Sequence, residues 1–217
     1  MTELQAVNTI LATIGEAGVS SLANNTNEIT DASLALRTLR EVAMDVQAEG
    51  WTWNTDFDVN IAPNASNIYT VPGDTLSIKF SPNDYPYNQY VMRGLRVYDK
   101  LRHRFDFAGE IGNEDLMARE MVRALYGPTG DPTWVWANLP HAAQQYIAVR
   151  SARIFSDRYV ASSVVFTYTA ADEDQARTLL IRAEESNLSN NLLWGNDRGV
   201  AAGLGYVPVS TSRFRFN

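Results

Sequence analysis

The sequence predicts an α+β chain, and a change of hydrophobic period at one glycine is the observation that predicts it. Before Gly50, Leu34, Ala35, Leu39, Val42, Ala43 and Val46 recur every three or four residues, which lines one face of a helix that Gly50 is placed to stop. After Gly50 the period falls to two. Trp51, Trp53, Thr55, Phe57, Val59 and Ile61 alternate with Thr52, Asn54, Asp56, Asp58 and Asn60, the pattern of a strand with one wet face. Helical patterns occupy both ends of the chain and strand patterns the middle. The expected architecture is therefore a four-helix bundle formed by the N- and C-terminal parts, with an inserted antiparallel β domain and an extended C-terminal tail. Residues 1–49 and 139–192 form the expected bundle, 50–138 the β domain and 193–217 the arm.

The elements follow in order. Residues 3–14 read as a first helix, with Leu4, Val7, Leu11 and Ile14 on one side and Gly15 near its end. Residues 20–27 are a polar loop. Thr30 and Asp31 are suitable N-caps for a second helix that runs to about Glu49. Beyond the strand at Trp51, a turn at residues 63–67 leads to short strands at 68–71 and 75–80, joined by Pro72-Gly73-Asp74. A proline- and tyrosine-rich loop covers residues 81–90, and Val91 to Tyr98 continues the sheet. Propensity makes residues 113–125 a helix, because Leu, Met, Ala, Arg and Glu fill it and Met117, Met121 and Leu125 share a face. Pro140 suits the first turn of a third helix reaching Tyr159. Residues 164–168 are extended, and a last helix starts at Thr169, with Asp172, Glu173 and Asp174 at its positive end, and continues to about Ser186.

Composition narrows the function. The 217 residues are 45% hydrophobic, enough to bury a core without covalent staples. There is no cysteine and there are only two histidines, His103 and His141, so neither disulfides nor a metal centre is expected. The N-terminus does not read as a signal peptide, and no apolar run approaches the ~20 residues needed to span a bilayer. A reducing, soluble compartment without membrane contact is the expectation. A net charge of -7, from 18 basic and 25 acidic side chains, argues against tight nucleic-acid binding, while DNA passing an acidic wall is compatible with it.

Candidate chemistry gives way to plainer readings. Asp56 and Asp58 would share a strand face at roughly 7 Å, within the spacing of glycosidase carboxylates, but alternating aspartates are what a solvated strand face shows. The acids at 172–174 suit a helix N-terminus for dipole reasons. His103, between Arg102 and Arg104, and His141 have no nucleophile beside them in the sequence pattern. Gly203-Leu204-Gly205 is followed by no helix that would receive a phosphate. Arg150, Arg153 and Arg158 lie near one side of the third helix and are expected to pair with Glu184, Glu185 and the other acids of the last helix. No catalytic residue, cofactor or metal ligand is assigned. Trp51 and Trp53 are read as core residues at the helix-to-sheet corner. The aromatic surplus lies elsewhere, at Tyr85, Tyr87 and Tyr90, at Trp134 and Trp136, and in the tail at Trp194, Arg213, Phe214, Arg215 and Phe216. Aromatics beside arginine are enriched in protein interfaces, so these are the candidate interface residues.

Several short motifs also stand in a characteristic order: residues 6–16, the corner at 50–54, Arg93-Gly94 with Val97-Tyr98-Asp99, Arg104-Phe105-Asp106, and Leu139-Pro140 with Tyr146-Ile147 and Ser151-Ala152-Arg153. Together, over about residues 3–190, they resemble the tail tubular protein A family, the head-to-tail adaptors of short-tailed phages. Residues 126–136 look like an insertion against that pattern, and the glycine-rich tail after Leu193 matches it poorly. The resemblance implies a strand at 118–124, where propensity alone gives a helix, and tertiary context overrides propensity most easily in short elements. It further implies a virion tail protein, assembled in the host cytoplasm as a dodecameric ring. That ring would dock between the portal protein and the nozzle protein, tail tubular protein B, with a tail fibre as a further contact and with DNA only in passage through its channel. The rival readings are a carboxylate-based glycan hydrolase of a phage tail and a soluble α+β subunit of an unrelated assembly.

Overall fold

A computed structural model describes residues 1–22, 30–81, 85, 89–107, 114–127, 134–159 and 170–187. Four helices and two small antiparallel sheets make up these residues, an α+β arrangement. Helix α1 (Glu3–Thr13) opens with a capping box: the Gln5 amide donates to the Thr2 hydroxyl and the Thr2 amide donates back to the Gln5 side chain. Helix α2 (Asp31–Ala48) uses Thr30 and Ser33 in the same way. The other two, α3 (His141–Tyr159) and α4 (Ala170–Asn187), come from the C-terminal part. Their common core holds Val7, Ile10, Leu39, Val46, Tyr146, Ile147, Phe155 and Leu180, each at most 1% exposed.

The expected strand at Trp51 begins later. Residues Thr52–Asn54 form a single 3-10 turn, and β1 is Thr55–Ile61. A polar knot overrides the two-residue period here. The buried Asn54 side chain accepts from the Trp51 amide at 2.8 Å and donates to the carbonyls of Gln47 (2.8 Å) and Arg123 (2.9 Å). Gly50 makes the corner possible, with φ +79° and with Val122 only 3.2 Å from where a β-carbon would stand. Trp51 is the core residue the sequence predicts: it is 6% exposed and its indole donates to the Val46 carbonyl at 2.8 Å.

Strand β2 is Thr75–Phe80, β3 Tyr90–Arg93, β4 Arg96–Asp99 and β5 Leu116–Arg123. The three-stranded sheet has the order β1-β5-β2, and β3 pairs with β4 as a separate hairpin. Residues 68–71, expected as a strand, make only isolated bridges, Tyr69 to Pro63 and Thr70 to Arg96. The segment at 116–123 is a strand, as the resemblance implies, although its residues favour helix. It is the central strand, so ladder bonds on both edges outweigh a propensity of a few tenths of a kcal/mol per residue. Alternation also slips within it. Leu116, Ala118 and Met121 are all buried in the second core, the register with β2 shifts between Lys79 and Phe80, and Asp58, beside this point in β1, has φ +53°. The register of β1 with β5 is unbroken, but the left-handed backbone at Asp58 departs from the extended geometry that would set it on one regular face with Asp56.

The second core lies between the sheet and the hairpin and is rich in aromatics: Tyr69, Phe80, Tyr90 and Phe107 with Val97, Leu116 and Met121. The loop after β4 is held by Asp99, 1% exposed, which accepts four hydrogen bonds: from the Leu101 and Arg102 amides, the Gln89 side chain and the Arg102 guanidinium. The loop at 20–27 and the extended segment at 164–168 fall largely or wholly outside the described residues, as does the arm at 193–217.

Two predictions follow from these buried polar groups. Gln47 is fully buried; its side chain donates to the Ala43 (2.9 Å) and Tyr126 (2.6 Å) carbonyls and accepts from the amides of Leu125 (2.7 Å) and Tyr126 (3.0 Å). Gln47→Ala strands three backbone groups at the end of β5 and is expected to cost about 3 kcal/mol in denaturant unfolding. An unchanged midpoint would show that those groups find other partners. Burial pushes the Asp99 carboxyl up, but its four donors outweigh burial and hold it below the ordinary aspartate value. A carboxyl depressed in the folded state stabilises above its unfolded pKa of about 3.9 and loses that contribution as pH falls through the lower folded value. Asp99→Asn is therefore expected to lower thermal stability at pH 7, with the gap to wild type closing below about pH 4. A gap independent of pH would assign the effect to shape alone.

Candidate interaction surfaces

The carboxylates that invite a catalytic reading are tied up or apart. Asp56 is held by Arg123 at 3.3 Å, and the same guanidinium grips Asp74 at 2.6 Å. Asp58 is exposed, with φ +53°. His103 is exposed in the loop after β4 with φ +56°, and His141 is the exposed first residue of α3. No group of three or more His, Asp or Glu side chains able to hold a metal occurs among the described residues. No helix of those residues is long and apolar enough to cross a membrane. The Gly203 region lies outside the described residues.

The arginines of α3 do pair with acids, two of them with an acid of the last helix as expected, though not with Glu184 or Glu185 and with partners outside α4 as well. Arg150 and Arg153 reach Glu173 in the first turn of α4, Arg153 also reaches Asp157, and Arg158 turns to Glu41 of α2 at 2.9 Å. Arg177 of α4 answers with Glu49 at 3.0 Å. Glu184 is not in this network: it is buried, 4% exposed, and accepts from the Thr52 amide, binding α4 to the turn before β1. These bonds fasten α2, α3 and α4 to one another and leave the α3 arginines engaged.

The aromatic surplus divides. Tyr90 and Trp136, expected at an interface, are 8% and 4% exposed in the chain's own cores. Tyr90 packs against Phe80 (5.8 Å) and Phe107 (5.4 Å), so the loop at 81–90 supplies rings to the β core. Tyr85 stacks on both Phe80 and Tyr90 and is half-buried. Trp136 meets Tyr126 edge-on at 5.0 Å in the helical core, and its indole donates to the Met1 carbonyl. Sequence spacing could not reveal this, since Trp136 and Met1 lie 135 residues apart. Trp134 is half-buried over Gly127. Tyr87, Trp194, Arg213, Phe214, Arg215 and Phe216 lie outside the described residues.

A surface that the sequence reading did not single out is the outward face of the β3–β4 hairpin. Val91, Arg93, Arg96 and Tyr98 share that face, because Val91 pairs with Tyr98 and Arg93 with Arg96. The Arg93 guanidinium lies 3.7 Å over the Tyr98 ring, Tyr98 meets Phe105 at 4.9 Å, and Arg96 lies 4.3 Å over Phe105. Gly94, with φ +60°, makes the two-residue turn between the strands. Arg93, Leu95 and Arg96 are exposed around it, Leu95 at 46%, and Leu101 in the next loop is 57% exposed. The signal was in the sequence, as an arginine on each side of Gly94-Leu95 with aromatics two and nine residues beyond Arg96, but only the fold stacks them.

What such a chain resembles can now be stated. No curated protein matches it. The family of tail tubular proteins matches residues 4–189, which takes in the helices, both sheets and the polar corner between them. That span is most of the 217 residues, and the chain belongs to the tail tubular protein family.

Proposed function

We propose that the protein is the head-to-tail adaptor of a short-tailed phage, a structural virion protein rather than an enzyme. Twelve copies would form a ring between the portal protein and the nozzle protein, tail tubular protein B, lining the channel through which DNA leaves. Family membership across residues 4–189 carries this reading. In it, the four helices act as a bundle that forms the body of each subunit. The β insert and the arm at 193–217 contact neighbours, with Tyr85, Tyr87, Trp134 and the tail residues Trp194, Arg213, Phe214, Arg215 and Phe216 as anchors. At -7 per chain, twelve copies carry a formal charge of about -84, which disfavours adhesion of DNA to the channel wall.

Mass measurement of the purified full chain, alone and with an assembled portal ring, tests the reading. The expected result is a ring alone or a twelvefold complement on the portal; a chain that stays monomeric and does not bind the portal would overturn it. The glycan-hydrolase alternative has its own test. Because Asp56 is an exposed partner of Arg123, changing Asp56→Asn and Asp58→Asn together is expected to cost no more than about 1 kcal/mol and to leave assembly intact. Glycan hydrolysis by the wild type that disappears in the double variant would establish the enzyme instead.

A further inference from the structure

Charge is unevenly shared between the two parts of the chain. Residues 89–107 carry five basic side chains, Arg93, Arg96, Lys100, Arg102 and Arg104, against Asp99 and Asp106. Asp99 holds the Arg102 guanidinium, and Arg93 and Arg96 keep the exposed end of the hairpin basic. The described residues before Trp51 and from Trp134 onward, which hold the four helices, carry seven arginines against twelve aspartates and glutamates. An acidic helical side and a basic hairpin thus stand on one molecule.

Arg93 and Arg96 form no ion pair among the described residues; each guanidinium stands over an aromatic ring instead, at 3.7 and 4.3 Å. A guanidinium held over a ring in this way has already lost part of its rotamer freedom, so pairing it with a carboxylate costs less than pairing a free side chain. Phosphates would satisfy the arginines equally well, but phosphate contacts make no use of exposed leucine, and Leu95 lies between the two arginines at the turn with Leu101 nearby. Arginine, aromatic rings and exposed apolar side chains together are the composition of a protein interface.

We propose that the outward face of the β3–β4 hairpin docks on the acidic helical side of a second copy of this chain. The two surfaces are different, so the contact is heterologous, and a head-to-tail contact whose rotation closes generates a ring. The inference rests on the ring proposed above and deepens it by naming the faces that meet.

Sedimentation velocity of the full chain with Arg93→Glu and Arg96→Glu tests it, with Arg93→Gln and Arg96→Gln as a second variant that removes charge without reversing it. Near-ultraviolet circular dichroism and thermal melting serve as the folding controls. Wild-type assembly is expected to weaken as salt is raised. The Glu variant is expected to need at least tenfold more protein to assemble and the Gln variant to fall between. If both variants assemble like wild type, the hairpin is not the docking face while the ring stands. A wild type that never assembles removes the ring and this inference with it. Binding of a duplex oligonucleotide that is lost in the variants, with assembly unchanged, would overturn the proposal in favour of a nucleic-acid contact.

Discussion

The fully buried amide of Gln47 is the constraint on which the rest of the structure depends. It sits in the last turn of α2, and the chain returns to it at Leu125 and Tyr126, the latter 79 residues later in the sequence. Closing a loop of that length costs about 4 kcal/mol in chain entropy, beyond a constant. The three hydrogen bonds that cross to Leu125 and Tyr126, at about 1 kcal/mol net each, fall short of that cost. The remainder comes from apolar burial around the amide, where Trp51, Tyr126 and Trp136 are each 6% exposed or less and each contributes about 2 kcal/mol or more. Hydrogen bonds therefore specify where the two ends of the β insert meet the helices, and the aromatic rings hold them there.

How much of this was legible in the sequence depends on the distance between partners. The cap of α2 at Thr30, the stop at Gly50 and the turn at residues 72–74 were readable because every group involved lies within a few residues. The turn at Thr52–Asn54 was not, since the carbonyl that draws Asn54 out of the strand belongs to Arg123, 69 residues on. The same holds for β5. Its composition favours helix, and its conformation is set by two flanking strands that a local window cannot see. The candidate interface aromatics failed in part for a related reason: Tyr90 and Trp136 look surplus until the second core and the Met1 carbonyl are in place to receive them. The hairpin ladder was missed because its aromatics and arginines lie on three separate stretches of chain.

Charge follows a similar division between local and distant. The acids of α4 lie where a helix N-terminus favours them, yet Glu173 is also the partner of Arg150 and Arg153 across the α3–α4 contact. Ion pairs that remain partly open to solvent, as these do, contribute about 1 kcal/mol each. Their larger effect is to neutralise the arginines of α3 within the helices, while Arg93 and Arg96 of the hairpin have rings rather than acids beside them. The net charge of the whole chain conceals this, because a sum carries no positions.

Tyr126 shows how these parts become one body. Its backbone is held by Gln47, its ring meets Trp136, and its hydroxyl donates to Glu3 at 2.6 Å, while Arg40 of α2 reaches the same carboxylate at 3.4 Å. Burial and the neighbouring Glu3 carboxylate both push the phenol pKa well above its ordinary value, so the hydroxyl stays a donor at any physiological pH. One side chain thus joins α1, α2, the exit of β5 and the approach to α3. Displacing the sheet relative to the helices would have to break the Gln47 and Glu3 bonds together and expose the rings between them, so the corner acts as a rigid joint rather than a hinge.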